Sequence, residues 1–242
     1  RRLHADGFTV IATHSPGNAT REGWLAARRD EGVNVRPCEL DVSNGNACDA
    51  VVRRLLEEVG AIDVLVNNAG ITRDRSLRKM SAEDWHAVLG TNLDSVFNMT
   101  RPVLEAMTGR GWGRVVSIAS DSAIVTPAEM IHYGVTKTAL LAVTRGFAKA
   151  AKGTGVTVNS VIVGPTHTPG VEDFARELVG DLPWDEAEAR FMAEHRPQSL
   201  IQRLIEPPEI GRLVAYLSSD LASATTGGAI RADGGYVDAI LP

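Results

Sequence analysis

Short β-branched runs alternating with helix-length amphipathic stretches constrain this chain more than any other feature. Phe8-Thr-Val-Ile-Ala-Thr13, the segment 33–40, Ile62-Asp-Val-Leu-Val66 and the segments 113–119, 156–163 and 228–233 read as strands. Apolar and β-branched residues cluster there between turn signals. Helical patterns fill the gaps, at 18–30, 47–59, 81–107, 128–152 and 207–219, and 168–203 is amphipathic and mostly helical. Within 47–59, Val51, Leu55 and Val59 make a stripe at i, i+4 and i+8. Ser81 is placed to cap the next helix, Pro102 is a candidate kink within it, and Pro207-Pro208 opens the last one. Strands and helices in this order pair in parallel through right-handed crossovers, an open α/β sheet with helices on both faces. A length of 242 residues, 44% of them hydrophobic, suits one large domain.

Ligands of such sheets sit beyond the carboxyl ends of the strands. Asp41, Asn67-Asn-Ala-Gly70, Ser120 and the segment 163–168 all follow predicted strands. Tyr133-Gly-Val-Thr-Lys137 falls on a predicted helix, and its spacing is about one turn, so phenol and ammonium share a face. A nearby Lys⁺ favours the phenolate and draws a tyrosine down from its ordinary value near about 10 toward the working range of a general acid or base. The plain alternative is two unrelated residues on a solvated face.

A net charge of −5 and a pI near 5.7 argue against broad attraction to nucleic acid or an anionic membrane, leaving small molecules as partners. Cys38 and Cys48 form neither a disulfide framework nor a zinc motif, which suits a reducing cytosol. No metal is expected, because His4, His14, His86, His132, His167 and His195 lack ligand spacing. His167 alone lies on a loop where it could touch a substrate. No run approaches the roughly 20 apolar residues of a membrane span, and no signal-peptide pattern opens the sequence.

In order and spacing, Asn67-Asn-Ala-Gly70 after a strand, Asn92 in Thr-Asn-Leu-Asp, Ser120 and Tyr133-x-x-x-Lys137 resemble the short-chain dehydrogenase/reductase family across essentially the whole chain. The resemblance implies a doubly wound, Rossmann-like parallel sheet that binds a nicotinamide nucleotide. Tyr133 would be the general acid in reduction or the base in the reverse direction. Lys137 would lower its pKa and bind the nicotinamide ribose, Ser120 would hold the substrate oxygen, and Asn92 would support a proton-relay water. Asp41 and Val42 would bracket the adenine, Asn68, Ala69 and Gly70 would pass the adenosine ribose and phosphates, and Gly164 and Thr168 would border the nicotinamide. After the strand at 8–13, Thr13-His-Ser-Pro-Gly17 offers no acid for a bare ribose, whereas Ser15, Asn18 and Arg21 offer donors, so NADPH is expected over NADH. The family further implies a cytoplasmic homotetramer or homodimer.

Three departures qualify the resemblance. The family's Thr-Gly-x-x-x-Gly-x-Gly turn is absent, and 1–7 reads as a helix tail ended by Gly7, so the expectation is an N-terminally truncated single domain, 1–242, lacking its first, central strand. Val163-Gly-Pro-Thr replaces the more usual Pro-Gly. A long lid at 165–203 carries Phe174, Leu178, Trp184, Phe191 and Met192. Ile71-Thr-Arg-Asp74, the segment 91–100 and Arg110-Gly-Trp-Gly-Arg114 resemble acetoacetyl-coenzyme A reductases, which points to 3-oxoacyl thioesters, with Arg73, Arg75, Arg78 and Lys79 available to phosphates. After Ala119 the resemblance shifts to a less characterised branch, which keeps another ketone or secondary alcohol open as substrate. A cofactor-free remnant, acting as a binding or oligomerisation partner through the helices at 81–107 and 128–152, is the third reading.

Overall fold

Each predicted strand forms, and every strand pairing is parallel. The computed structural model describes residues 1–240. In chain order the elements are α1 (Arg2–Ala5), β1 (Val10–His14), α2 (Arg21–Asp30), β2 (Val35–Glu39), α3 (Gly45–Val59), β3 (Val64–Asn67), α4 (Ala82–Leu89), α5 (Ser95–Arg110), β4 (Gly113–Ser120), α6 (Ile131–Ala150), β5 (Val156–Val163), α7 (Pro169–Val179), α8 (Trp184–His195), α9 (Pro207–Leu217) and β6 (Ala229–Ala232). None of these helices is long and apolar enough to cross a membrane.

The strands are ordered β3-β4-β5-β6, with β1-β2 as a separate pair. β4 and β5 register from Gly113 opposite Val156 to Ser120 opposite Val163. Both are buried almost throughout, which is why their sequences are mostly apolar or small instead of alternating, with Arg114 and Asn159 as buried polar exceptions. On one face Val115 and Val158 pack with Val52 of α3 and Val103 and Met107 of α5. On the other, Val116 and Val161 pack with Val214 and Leu217 of α9. Burying each of these side chains contributes about 1.5–3 kcal/mol, so two-sided packing holds these strands in place more than their own propensity does. α7 and α8 form the lid with a core of their own, Ala175, Val179, Ala187, Phe191, Met192 and Leu204.

β1 and β3 each hydrogen-bond a single strand, and their free edges line a common cavity of about 520 Å³. Val10 and Ile11 form one wall, Val64 and Val66 the other, and Val52 and Val103 complete the lining. Two unpaired edges across an apolar slot leave backbone donors and acceptors unmatched on both sides.

The helix expected over 81–107 is interrupted by a π-helical turn at Gly90–Asp94, between α4 and α5. α4 begins with a capping box, in which Ser81 Oγ accepts the Asp84 amide at 3.0 Å and Asp84 accepts the Ser81 amide at 3.4 Å. α5 continues through Pro102, so the irregularity falls at Asn92 instead of at the proline. α6 starts at Ile131, later than expected, because 127–130 closes into a turn in which the Met130 amide donates to Pro127 O.

Candidate active site

Four elements converge at the carboxyl ends of β3 and β4. Ser120 ends β4, Tyr133 and Lys137 lie one turn apart on α6, Asn92 sits in the π turn, and Gly70 follows β3. Lys137 Nζ stands 5.4 Å from the centre of the Tyr133 ring and donates to Ile118 O at 2.8 Å. Asn92 is buried: its Oδ1 accepts the Ile71 amide at 2.8 Å, and its Nδ2 donates to Ile71 O at 2.9 Å and Thr136 Oγ1 at 3.3 Å. These bonds tie the loop after β3 to the first turns of α6. A Cβ on Gly70 would meet Asn92 Oδ1 at 3.4 Å and Lys137 Nζ at 3.7 Å, so the glycine keeps the backbone against the same space. Gly134 serves the start of α6 similarly, since a Cβ there would collide with the Thr126 side chain.

The electrostatics differ from the sequence expectation. Burial raises the Tyr133 phenol above its ordinary value; the nearby Ser120 hydroxyl opposes this, while Asp121 and Asp74 reinforce it. Burial also lowers Lys137, to about 8. The expected lowering of Tyr133 by Lys137 is not realised here, because loss of solvent penalises both charged forms in the same enclosed space. Next to them Ser120 Oγ donates to Asp121 Oδ1 at 2.7 Å and accepts the Ser122 amide at 3.2 Å.

The remaining sequence candidates line the same edge of the sheets at greater remove. Asp41, exposed past β2, accepts the Ser43 amide at 3.0 Å and its hydroxyl at 2.6 Å, and Val42 O accepts Asn98 Nδ2 at 3.2 Å. Asn68 and Ala69 are exposed beside Gly70, while Asn67 turns inward and donates to Thr100 Oγ1 at 3.0 Å. Gly164 packs so tightly that an added Cβ would stand 2.6 Å from Asp233 Cα. Thr168 caps α7, its Oγ1 accepting the Val171 amide at 3.3 Å. Ser15, Asn18 and Arg21 gather after β1, on the other side of the slot from β3; Asn18 Oδ1 holds the Thr20 amide at 3.0 Å, and Arg21 pairs with Glu22 at 2.5 Å. Arg73 is engaged by Asp84 at 3.0 Å, while Arg75, Arg78 and Lys79 are exposed.

His167 belongs to the lid. Its Nδ1 meets Glu206 Oε1 at 3.0 Å, its Nε2 meets Glu172 Oε2 at 3.4 Å, and its ring stacks on Trp184 at 4.9 Å. Asp121 and Thr136 are the participants that sequence reasoning missed. A carboxylate directly after Ser120, at the end of a buried strand, was the signal for the first.

A family model described as enoyl-(acyl carrier protein) reductase, one of the short-chain dehydrogenase/reductase models, matches residues 1–237. The chain belongs to the short-chain dehydrogenase/reductase family. It is 42% identical to an uncharacterised oxidoreductase, YvaG, of Bacillus subtilis, over 99% of each protein. It is 35% identical to an acetoacetyl-CoA reductase of Cupriavidus necator, over 97% of this chain and 90% of that protein. It is 34% identical to nodulation protein G of Azospirillum brasilense, over 96% of this chain and 89% of that protein. As a short-chain dehydrogenase/reductase it is an oxidoreductase that works with a nicotinamide cofactor. The residues fit the nicotinamide-ribose end of such a cofactor: the buried Lys137 ammonium has Ile118 O as its one acceptor among the described residues, and Gly70 leaves the adjoining space open. A glycine-rich turn to receive the pyrophosphate is not among residues 1–242.

Proposed function

We propose that the protein reduces a ketone to a secondary alcohol with NADPH, and that its substrate is a 3-oxoacyl thioester such as acetoacetyl-CoA. The observation that carries the reaction is the grouping of Ser120, Tyr133, Lys137 and Asn92 around Gly70. Gly70 and Lys137 would hold the nicotinamide-ribose end of the cofactor, which would supply the hydride. Tyr133 Oη holds the proton that the carbonyl oxygen takes up, and its raised pKa keeps that proton on the phenol at neutral pH. Ser120 orients the same oxygen from the end of β4. Lys137 lies behind Tyr133 as a donor to the ribose hydroxyls, and Asn92 keeps the Ile71 loop and α6 at a fixed separation; a water held between Asn92 and Lys137 would be the route for proton replacement.

The thioester rests on the relatives, because the acetoacetyl-CoA reductases and the family model's description both name acyl thioesters. Arg75, Arg78 and Lys79, exposed on the loop between β3 and α4, would meet the substrate phosphates. NADPH rests on the donors Ser15, Asn18 and Arg21 and the lack of an acid at the end of β1, with Asp41 and Val42 at the adenine and Gly164 and Thr168 at the nicotinamide. An additional parallel strand between β1 and β3 would pair both free edges and join the two sheets into one doubly wound sheet. A homotetramer or homodimer built on α4, α5 and α6 completes the proposal.

The test is turnover of acetoacetyl-CoA, of simple ketones and of secondary alcohols by the full natural protein. Tyr133→Phe should abolish turnover while NADPH still quenches tryptophan fluorescence. Retained turnover would sink the assignment, and a preference for simple ketones would remove the thioester while leaving the reaction.

A further inference from the structure

The Ser120 hydroxyl has one proton, and in this structure Asp121 holds it. Ser120 Oγ donates to Asp121 Oδ1 at 2.7 Å, the Ser122 amide donates to the same Oδ1 at 2.7 Å, and that amide also reaches Ser120 Oγ at 3.2 Å. The three residues close a local ring at the end of β4, so the carboxylate cannot swing away without leaving the Ser122 amide. With its proton on Asp121, Ser120 can offer a substrate oxygen only a lone pair. That suits an alcohol, which has a proton to give. A ketone has none, and needs Ser120 as a donor.

We propose that Asp121 is a positioning residue that sets the direction of the Ser120 proton, and through it whether the site favours the ketone or the alcohol form of the substrate. The proposal rests on the reading of Ser120 and Tyr133 as the pair that meets the substrate oxygen. When Asp121 is ionised it competes for the Ser120 proton as a charged acceptor, and such bonds are about twice as strong as neutral ones. When it is neutral, Ser120 is released to donate to a ketone or to the Tyr133 phenolate. The charged and titratable groups facing Asp121 are Arg196 past the end of α8, Asp233 past the end of β6, and Tyr133 on α6; β5, packed on the same turn, carries none. Burial raises the Asp121 carboxyl, with the Ser120 and Ser122 bonds and Arg196 opposing, which brings its titration closer to neutral pH.

The experiment is Asp121→Asn, which keeps an acceptor oxygen in place and removes the charge. In NADPH-dependent reduction of acetoacetyl-CoA and of ethyl acetoacetate, wild-type kcat/KM should fall as Asp121 ionises. The variant should lack that limb and be about fivefold faster above it, the difference expected between a charged and a neutral hydrogen bond. In a Ser120→Ala background Asp121→Asn should change nothing further. Without any substrate, the ultraviolet titration of the Tyr133 phenolate, isolated by subtracting the Tyr133→Phe variant, should move to lower pH in Asp121→Asn and move less when Ser120 is also removed. Should Asp121→Asn not fold, Asp121→Ser takes its place. An unmoved limb and titration, or an effect of equal size with and without Ser120, overturns the proposal. Turnover retained by Tyr133→Phe overturns the underlying reading of the site instead.

Discussion

Lys137 should be an expensive residue for the fold, and replacing it with methionine tests this. Its ammonium is buried at the β4–α6 junction with Ile118 O as acceptor, and burial lowers its pKa from 10.5 to about 8. At about 1.4 kcal/mol per tenfold, keeping the charge there costs roughly 3 kcal/mol. Methionine removes that cost, retains most of the apolar stem and leaves Ile118 O without its donor, an offset of about 1–2 kcal/mol. The net gain at pH 7 should be about 1–2 kcal/mol, or roughly 3–6 °C in thermal midpoint for a domain of this size. The sign of the pH dependence follows from the lowered value. Between about 8 and 10.5 the unfolded chain binds the proton that the folded one has released, so wild-type stability rises with pH there. The advantage of Lys137→Met should therefore shrink to about zero near pH 9.5. Thermal and urea unfolding of both proteins at the two pH values measure this. A variant less stable than wild type at pH 7, or a difference that ignores pH, would refute the buried-charge argument.

Three further substitutions probe packing and the lid. Gly164→Ala places a Cβ 2.6 Å from Asp233 Cα, and the Asp233 carboxylate is pinned by the Gly235 and Val237 amides at 3.1 Å each, so a loss of about 1–3 kcal/mol is expected in urea unfolding. Gly146→Ala, on the exposed face of α6 with open space around it, should instead gain about 0.8–1 kcal/mol; equal signs for the two would contradict the contact argument. In the lid, Glu206 and then Glu172 raise the His167 pKa, so its contribution is full below the ordinary histidine value of about 6.5 and fades as pH rises through the higher folded value. The midpoint difference between wild type and His167→Gln should be greatest near pH 5.5 and shrink as pH rises above the ordinary histidine value of about 6.5; a constant difference would rule the clasp out.

What could be read from the sequence was whatever repeats locally. The strand at 156–163 was legible to the residue because it is buried on both faces and bounded by glycines, and Ser120, Tyr133 and Lys137 were legible because a strand end and one helical turn position them. The direction of the Tyr133 shift was not, since it depends on how much of the molecule covers the phenol, and no spacing encodes that. The anchoring of the Asn92 side chain depends on Ile71, far from it in sequence, and the placing of His167 depends on Glu206, past the end of the lid. In each case the deciding partner is a contact that only the folded chain makes.

The pKa directions of Tyr133 and Lys137 bear on which way the site works. With Tyr133 raised and Lys137 near 8, a neutral solution finds the phenol protonated and the lysine still largely charged. Such a site holds a proton ready to give, which is what reduction of a carbonyl asks of Tyr133. Oxidation asks for the phenolate, which the Ser120 hydroxyl assists but Asp121 and Asp74 oppose. A charged acceptor on Ser120 therefore works against oxidation through Tyr133, while the lone pair it leaves on Ser120 suits the alcohol. The two effects pull the site in opposite directions, and neutralising Asp121 relieves both. If Tyr133 and Ser120 meet the substrate oxygen as proposed, the proton count on Tyr133, Ser120 and Asp121 together would set the balance between reduction and oxidation, and the raised Tyr133 pKa would weight it toward reduction at neutral pH.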